Sequence, residues 1–422
     1  MKVVVVHRGA RDNYQVARGL HDGGMLEALV TDLYWPAEQS WAGAFERIAP
    51  ARVSGALRAR YAETLPASSV VSCRTSGLSS LAISKVKSLP FDWQRDSMRW
   101  CDRQLGTHAG KLATARDAAL LSYSYYGHSA FSSYSGKHPR ILFQLHPHPA
   151  RVRTILRRER MEHPECASSL DKEWELALPE EDFTRLAQEA QMAEHWLVAS
   201  SFTKETLVET GIPGERIGVI PYGIDLQGFV PRKGKRNNAK LQLLFVGTIG
   251  QRKGIKYLIE AMEALPKDAV ELTVCGRAVD DLALFKQSKA AIRIFPSISA
   301  QGLREMYQSS DIFVFPSLAE GFAQVLLEAM ASGLAIISTT RTAARDLVRQ
   351  GKEGLVIEPG DAAGLAGAIE HFLQRPDDVE AMGQAARRRA EYFTWDRFRT
   401  NVAEAVGQIL QQEQPAGAGR YV

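Results

Sequence analysis

Two carboxylates, Glu320 and Glu328, stand eight positions apart in Glu320-Gly321-Phe322-Ala323-Gln324-Val325-Leu326-Leu327-Glu328, directly after the apolar run Ile312-Phe313-Val314-Phe315-Pro316. The run reads as a buried parallel strand, and Gly321 as the turn into a helix reaching Gly333. Such a turn leaves backbone N–H groups unpaired at the carboxyl edge of a sheet, where an α/β protein binds anions. Glu320 sits at the mouth of the turn, and Glu328 one to two turns into the helix with its side chain tilted back toward the amino end. Carboxylates repel phosphate but accept hydrogen bonds from paired sugar hydroxyls. The pattern therefore suits a nucleotide sugar better than a bare nucleotide.

A second phosphate-type element lies upstream. The short apolar strand Leu241-Gln242-Leu243-Leu244-Phe245-Val246 runs into Gly247-Thr248-Ile249-Gly250-Gln251-Arg252-Lys253-Gly254 and then an amphipathic helix from Ile255 to Leu265. Two adjacent cations at a helix start oppose the helix dipole unless an anion sits between them. The glycine spacing fits neither the dinucleotide fingerprint nor the P-loop, which needs Lys directly after its last Gly. This is a phosphate clamp of another kind.

Together these residues resemble glycosyltransferase family 4, the retaining nucleotide-sugar transferases of GT-B fold. The match extends to Val274-Cys275-Gly276, to Glu305-Met306-Tyr307-x-x-Ser310-Asp311-x-Phe313-Val314-x-Pro316-Ser317, to Gly354-Leu355-Val356, and to Ile220-Pro221-Tyr222-Gly223-Ile224-Asp225, where the family commonly has Asn in place of Tyr222. The resemblance implies donor binding by Gly9, Gly247, Arg252, Lys253, Glu320, Gly321, Phe322, Ala323 and Glu328. It implies a histidine against the donor sugar at the end of the strand Ile141–Leu145. His146 is the residue that matches, with His148 as the fallback. Arg252, Lys253, Glu320 and His146 then form the catalytic set: the cations stabilise the departing diphosphate, and Glu320 and His146 orient the sugar. No protein nucleophile is expected. The leaving phosphate accepts the acceptor's proton on the same face.

No cofactor beyond the donor substrate is expected, and no metal. There is no Asp-x-Asp sequence to hold a cation, and the His146-x-His148 pair lacks a nearby third ligand. The opening loop His7-Arg8-Gly9-Ala10-Arg11-Asp12-Asn13-Tyr14 departs from the family's Gly-Gly form, and the clamp has Thr248 where many members carry Arg. Arg11 and Asn13 are therefore expected to serve the acceptor instead, together with His128 and Arg151; a structural role for His128 fits its sequence context equally well.

Alternating strand and helix signals divide the chain into two doubly wound α/β halves. The first domain is read as 1–230, the second as 231–394, and a crossover helix with a tail as 395–422. First-half strands are expected near Val3–His7, Leu26–Thr31, Ala119–Tyr123, Ile141–Leu145, Trp196–Ala199 and Ile217–Ile220. The second half has them near Leu243–Val246, Glu271–Val274, Arg293–Phe295, Ile312–Phe315 and Ala335–Ser338. Pro231 to Asn238 lacks apolar side chains apart from its proline and reads as the linker, and only the stretch from Gln414 looks disordered. Phe393-Thr394-Trp395-Asp396 resembles the family's turn into a last helix that packs back on the first domain.

A chain of 422 residues with a net charge of +4 has the composition of a soluble globular protein, and a cytoplasmic location is expected. The four cysteines are far apart, as reduced thiols would be. Charge is segregated: residues 1–158 hold 22 Lys and Arg against 11 Asp and Glu, whereas residues 159–225 hold 5 against 15, so the first half has two electrostatic faces. Ala44 to Tyr61 mixes apolar and cationic side chains, a pattern that suits either an anionic membrane surface on the inner face of the plasma membrane or a solvated helix face. The five arginines between Arg151 and Arg160 need an anion nearby, external or from the acidic segment that follows. No stacking-aromatic module accompanies these cations, so nucleic acid is not expected. The expected partners are a nucleotide sugar and a saccharide or lipid-linked acceptor. The competing readings are another GT-B enzyme, such as a sugar-nucleotide epimerase or a phosphorylase, and a non-catalytic sugar-nucleotide-binding protein.

Overall fold

The computed structural model describes residues 1–73, 91–232 and 240–413, so most of the expected linker and the tail from Gln414 lie outside the described residues. The first domain is a parallel sheet of β1 (Val3–Val6), β2 (Leu26–Thr31), β3 (Val70–Ser72), β4 (Ala119–Tyr123), β5 (Arg140–Gln144), β6 (His195–Val198) and β7 (Ile217–Val219) in the order β3-β2-β1-β4-β5-β6-β7. The second holds β8 (Leu241–Val246), β9 (Val270–Cys275), β10 (Ile292–Phe295), β11 (Ile312–Phe315), β12 (Ala335–Thr339) and β13 (Gly354–Ile357) in the order β10-β9-β8-β11-β12-β13. Helices cover both faces. That is why strands such as Val3–Val6 and Ile312–Phe315 are buried at every residue and read as unbroken apolar runs rather than alternating ones.

Strand order reverses between β1 and β4 in the first sheet and between β8 and β11 in the second. Loops leaving neighbouring strands at such a point diverge to opposite faces and open a crevice at the carboxyl edge. The segments that leave β1, β4, β8 and β11 are the opening loop, Tyr125-Tyr126, the Arg252-Lys253 clamp and the Glu320-Gly321 turn. The topology thus places all four at one cleft.

The last helix, Trp395–Gln412, begins at Thr394, whose side chain accepts a hydrogen bond from Arg397 N at 3.2 Å. It returns to the first domain, where Phe398, Val402, Val406 and Leu410 join that domain's core at four-residue spacing. A second crossing lies beside it, with Ile224 N bonded to the Phe393 carbonyl at 2.9 Å. Between the domains, Val152, Ile155, Leu156, Leu170 and Phe202 of the first pack with Tyr257, Leu318 and Ala319 of the second. Ser200 and Thr203 hydroxyls both donate to the Gly321 carbonyl, which draws the β11 turn against the first domain.

Candidate active site

The clamp is a single turn of 3-10 helix, Gln251–Lys253, ended by Gly254 at φ 75°. A Cβ at Gly254 would lie 2.0 Å from the Pro316 carbonyl oxygen, so only glycine lets the clamp pack on the segment leaving β11. That contact brings the two cations to Glu320. Lys253 Nζ is ion-paired with Glu320, and Arg252 reaches Glu320 at 3.4 Å. Burial, and then Arg252, pull the Lys253 ammonium well below its ordinary pKa. The carboxylates of Glu173 and Glu175 oppose that shift, and so would any anion seated between the two cations.

Two more carboxylates close around Arg252 from the first domain: Glu173 at 3.5 Å and Glu175 at 3.9 Å. Burial pushes Glu173 above the usual carboxylate range, with Arg252 opposing it. Neither residue was singled out by the sequence reading. The acidic run Asp171-Lys172-Glu173-Trp174-Glu175 was visible there only as part of a negative balance.

His146 lies just past β5, across the cleft from the clamp. Burial, and then Arg252, Arg11 and Lys253, lower its pKa to about 3, so the ring is neutral at physiological pH. A neutral imidazole can donate or accept a hydrogen bond to a sugar without adding charge. A Cβ at Gly321 would fall 2.3 Å from the Leu145 carbonyl, so the two turns meet backbone to backbone. His148 has a different task. It is buried, its Nδ1 caps the helix Pro149–Glu162 by accepting from Ala150 N, and its Nε2 lies 3.1 Å from the Ala187 carbonyl. The two histidines separate because both follow β5, with His148 committed to the helix start, rather than by alternating along a strand.

The helix after Gly321 runs Gln324–Ala331, shorter at both ends than expected, because Ala323 takes a left-handed φ of 64° before it. Phe322 is buried, edge-on to Tyr222. Glu328 accepts a hydrogen bond from Tyr307 Oη at 2.9 Å and is raised in pKa by burial. Gly247 follows β8 directly.

The opening loop is strained. Asp12, Asn13 and Tyr14 have φ of 44°, 51° and 62° in succession, each costing about 1–3 kcal/mol. Buried contacts hold them: Asp12 accepts from Tyr123 Oη at 2.5 Å and from Gln15 N at 3.0 Å. Gly9 donates its N–H to Asp32 at 2.8 Å, and Asp32 is paired with Arg60 at 2.9 Å. Tyr125 is strained too, at φ 81°, with its N–H on the buried Glu189 at 2.7 Å. The result is that Arg11 lies over the Tyr125 and Tyr126 rings at 5.9 and 6.0 Å, and the Tyr125 ring meets His146 edge-on at 5.9 Å.

These side chains border a cavity of about 470 Å³ in the first domain, lined among others by Arg8, Arg11, Tyr125, His128, His146 and Trp174. Of the residues assigned to the acceptor from sequence, Arg11 and His128 line it. Asn13 is exposed on its turn, and Arg151, outside the lining, pairs with Glu209 at 2.9 Å. The arginine-rich helix finds its anions within the chain: Arg153 pairs with Glu180 at 2.8 Å, Arg158 with Glu162 at 2.8 Å and Arg160 with Asp171 at 2.5 Å. Tyr125, Glu173 and Glu175 are the site residues that sequence reasoning missed. For Tyr125 the local hint of a forced turn is Gly127 two residues on.

Residues 228–389 match the family model described as glycosyl transferases group 1. A D-inositol 3-phosphate glycosyltransferase of Geodermatophilus obscurus is 30% identical over 237 residues, covering 50% of this chain and 51% of that protein. A sulfoquinovosyl transferase of Arabidopsis thaliana is 26% identical over 223 residues, covering 50% of this chain and 44% of that protein. The chain thus spans about half the length of the curated relatives it matches. Among solved structures, sucrose-phosphate synthase of Thermosynechococcus elongatus superposes with a TM-score of 0.62 at 18% identity, over 98% of both chains. Anabaena HepE in complex with UDP-glucose gives 0.58 at 14% identity, over 97% of this chain and 100% of that one. The described chain therefore has the GT-B architecture of two Rossmann-like domains about a cleft, and the stretch that matches the group 1 glycosyl transferase model lies almost wholly in its second domain.

Proposed function

We propose that this protein transfers a glycosyl unit from a nucleoside-diphosphate sugar to an acceptor hydroxyl, with retention of the anomeric configuration and without a resident metal, as expected of glycosyltransferase family 4. The observation that carries the reading is the gathering of Arg252 and Lys253 on Glu320, on the far side of the cleft from a neutral His146. Cations fixed before the reaction stabilise charge as it develops on the leaving diphosphate, without reorganisation at the moment of bond breaking. Glu320 beside them accepts from sugar hydroxyls, and His146 approaches the sugar from the first domain. The glycosidic bond to the diphosphate breaks, the new bond forms to the acceptor oxygen, and the acceptor's proton leaves on the phosphate oxygen on that face.

In support, curated relatives that match in part carry names of sugar transferases, and one structural neighbour was solved with UDP-glucose. Incubation with UDP-, GDP- and ADP-sugars, with release of free nucleoside diphosphate as the readout, tests the reading. Failure of all three donors to bind or turn over would remove it. Contact with an anionic membrane belongs to the same proposal. On the helix Ser40–Ile48 the side chains of Trp41, Phe45 and Ile48 are exposed beside Arg47, whereas Arg58 is paired with Glu46 and Arg60 with Asp32. Salt-sensitive sedimentation with phosphatidylglycerol vesicles, weakened by Arg47→Glu with Ile48→Glu, is the expected result.

A further inference from the structure

The cavity beside His146 is built for more than a neutral hydroxyl. Five arginines, Arg8, Arg11, Arg99, Arg103 and Arg185, reach its wall from three separate segments. Most have carboxylates: Arg8 pairs with Asp102 at 3.0 Å, Arg99 and Arg103 share Asp182, and Arg185 pairs with Glu181 on its own helix. Arg11 is held differently. It lies over the rings of Tyr125 and Tyr126 with a hydrogen bond to the Tyr126 side chain, Asp102 acts on it only at longer range, and the described residues place no carboxylate in ion-pair contact with it. Aromatic faces fix the plane of a guanidinium while leaving its donor edge available for a forked contact with an oxyanion. The loop that presents Arg11 is the strained one, and strain of that kind persists where the surrounding packing over-determines a functional geometry. The cavity's carboxylates are outnumbered: Asp102, Asp182 and Glu189 line it against the five arginines. Asp182 is divided between two of those arginines, and Asp102 is taken by Arg8.

Resting on the transferase reading, we propose that the acceptor carries a phosphoryl group, seated in this cavity on the donor edge of Arg11 with Arg103 assisting, so that its hydroxyl is brought toward His146. A phosphoryl dianion satisfies a guanidinium bidentately and answers the surplus of cations, which a neutral saccharide does not. The group can belong to a soluble sugar phosphate or to a lipid diphosphate; the chemistry recognised is the same. Arg11 then selects the acceptor, while Arg252 and Lys253 serve the donor.

Calorimetric titration in the presence of a saturating nucleoside diphosphate, which occupies Arg252 and Lys253, tests this. The probes are glucose, glucuronate, glucose 6-phosphate and geranyl diphosphate. At least one phosphoryl probe should bind tenfold or more tighter than glucose. Arg11→Gln and the more exposed Arg103→Gln should each weaken it at least fivefold, with nucleotide affinity changed less than twofold. Tighter glucose 6-phosphate supports a soluble acceptor, and tighter geranyl diphosphate a lipid-borne one. Phosphoryl probes that bind no better than glucose, or that ignore both substitutions, would overturn the proposal, as would glucuronate matching glucose 6-phosphate. If no nucleoside diphosphate binds while the Arg11-dependent phosphate site remains, the donor reading fails and the anion site stands.

Discussion

On the proposed reading, Lys253 is the residue on which the donor side of the cleft turns. It is buried against Arg252, a like charge, and against Glu320, and it also lies 5.3 Å over the Phe315 ring. Charge-assisted contacts to a diphosphate contribute about 1.5–3 kcal/mol each. Lys253→Ala should therefore weaken binding of the preferred nucleoside diphosphate by roughly 10- to 100-fold, while circular dichroism shows the fold retained. An unchanged dissociation constant would take Lys253 out of the donor site. His7 offers a second test, away from the chemistry. It is fully buried between Tyr14 and Tyr123, with the Arg8 and Gly9 backbone near its ring nitrogens but no hydrogen bond of ordinary geometry. Burial, and then Arg11, lower its pKa from 6.5 to about 4. Between those values the unfolded chain binds a proton that the folded chain does not, so stability falls as pH falls through the window. The loss from this one ring reaches on the order of 2 kcal/mol by pH 5. His7→Phe should melt higher than the parent protein, by a margin that widens from pH 7 to pH 5; a margin independent of pH would contradict the burial argument.

The turns between strands and helices position these residues, and they tolerate little. Gly254 has a left-handed φ and no room for a Cβ against the Pro316 carbonyl. Gly254→Ala combines about 1 kcal/mol of backbone strain with a clash that only a shift of the clamp relieves. The expected result is a protein that folds, melts a few degrees lower and has lost most of its transfer activity, with KM for the donor raised. Full activity would show that the clamp is not held by this turn. Such turns also explain what the sequence disclosed. The long strands were readable because sheets covered on both faces demand unbroken apolar runs, as in Val3–Val6 and Ile312–Phe315. β3 and β13 escaped: Val70–Ser72 has three half-buried residues, and Gly354–Ile357 opens on a glycine. The clamp and the Glu320 turn could be found because each is contiguous. The Arg11 cavity could not, because it is assembled from the ends of β1 and β4 and from helices tens of residues away. Asp12 and Asn13 are types that tolerate a left-handed backbone, but Tyr14 and Tyr125 are not, so the run of positive φ could not be read from residue type alone.

At the level of the molecule, the proposed donor and acceptor sides can work together only if the two domains stay in register across the cleft. Interfaces between domains of one chain usually permit motion. Here one buried carboxylate holds both sides: Glu159, on the helix Pro149–Glu162 of the first domain, accepts from Gln251 Nε2 at 2.7 Å and from Tyr257 Oη at 2.9 Å in the second. Gln251 is the first residue of the clamp turn and Tyr257 lies in the helix that follows it. The same contact therefore fixes the clamp against the first domain, near the segment that supplies Glu173 and Glu175. Glu159→Ala strands two buried polar groups, at about 1–3 kcal/mol each, without touching either sheet. The domains should then separate while each stays folded. Thermal unfolding should change from one transition to two, and the radius of gyration in solution should rise above the value of about 22 Å expected for a compact chain of this length. Because the clamp itself survives, nucleoside diphosphate should still bind to the second domain, whereas transfer, which needs His146 brought across the cleft, should fall at least tenfold. A single unshifted transition with full transfer activity would mean that the apolar contacts of Val152, Leu156 and Phe202 with Tyr257 and Leu318 hold the domains together without Glu159.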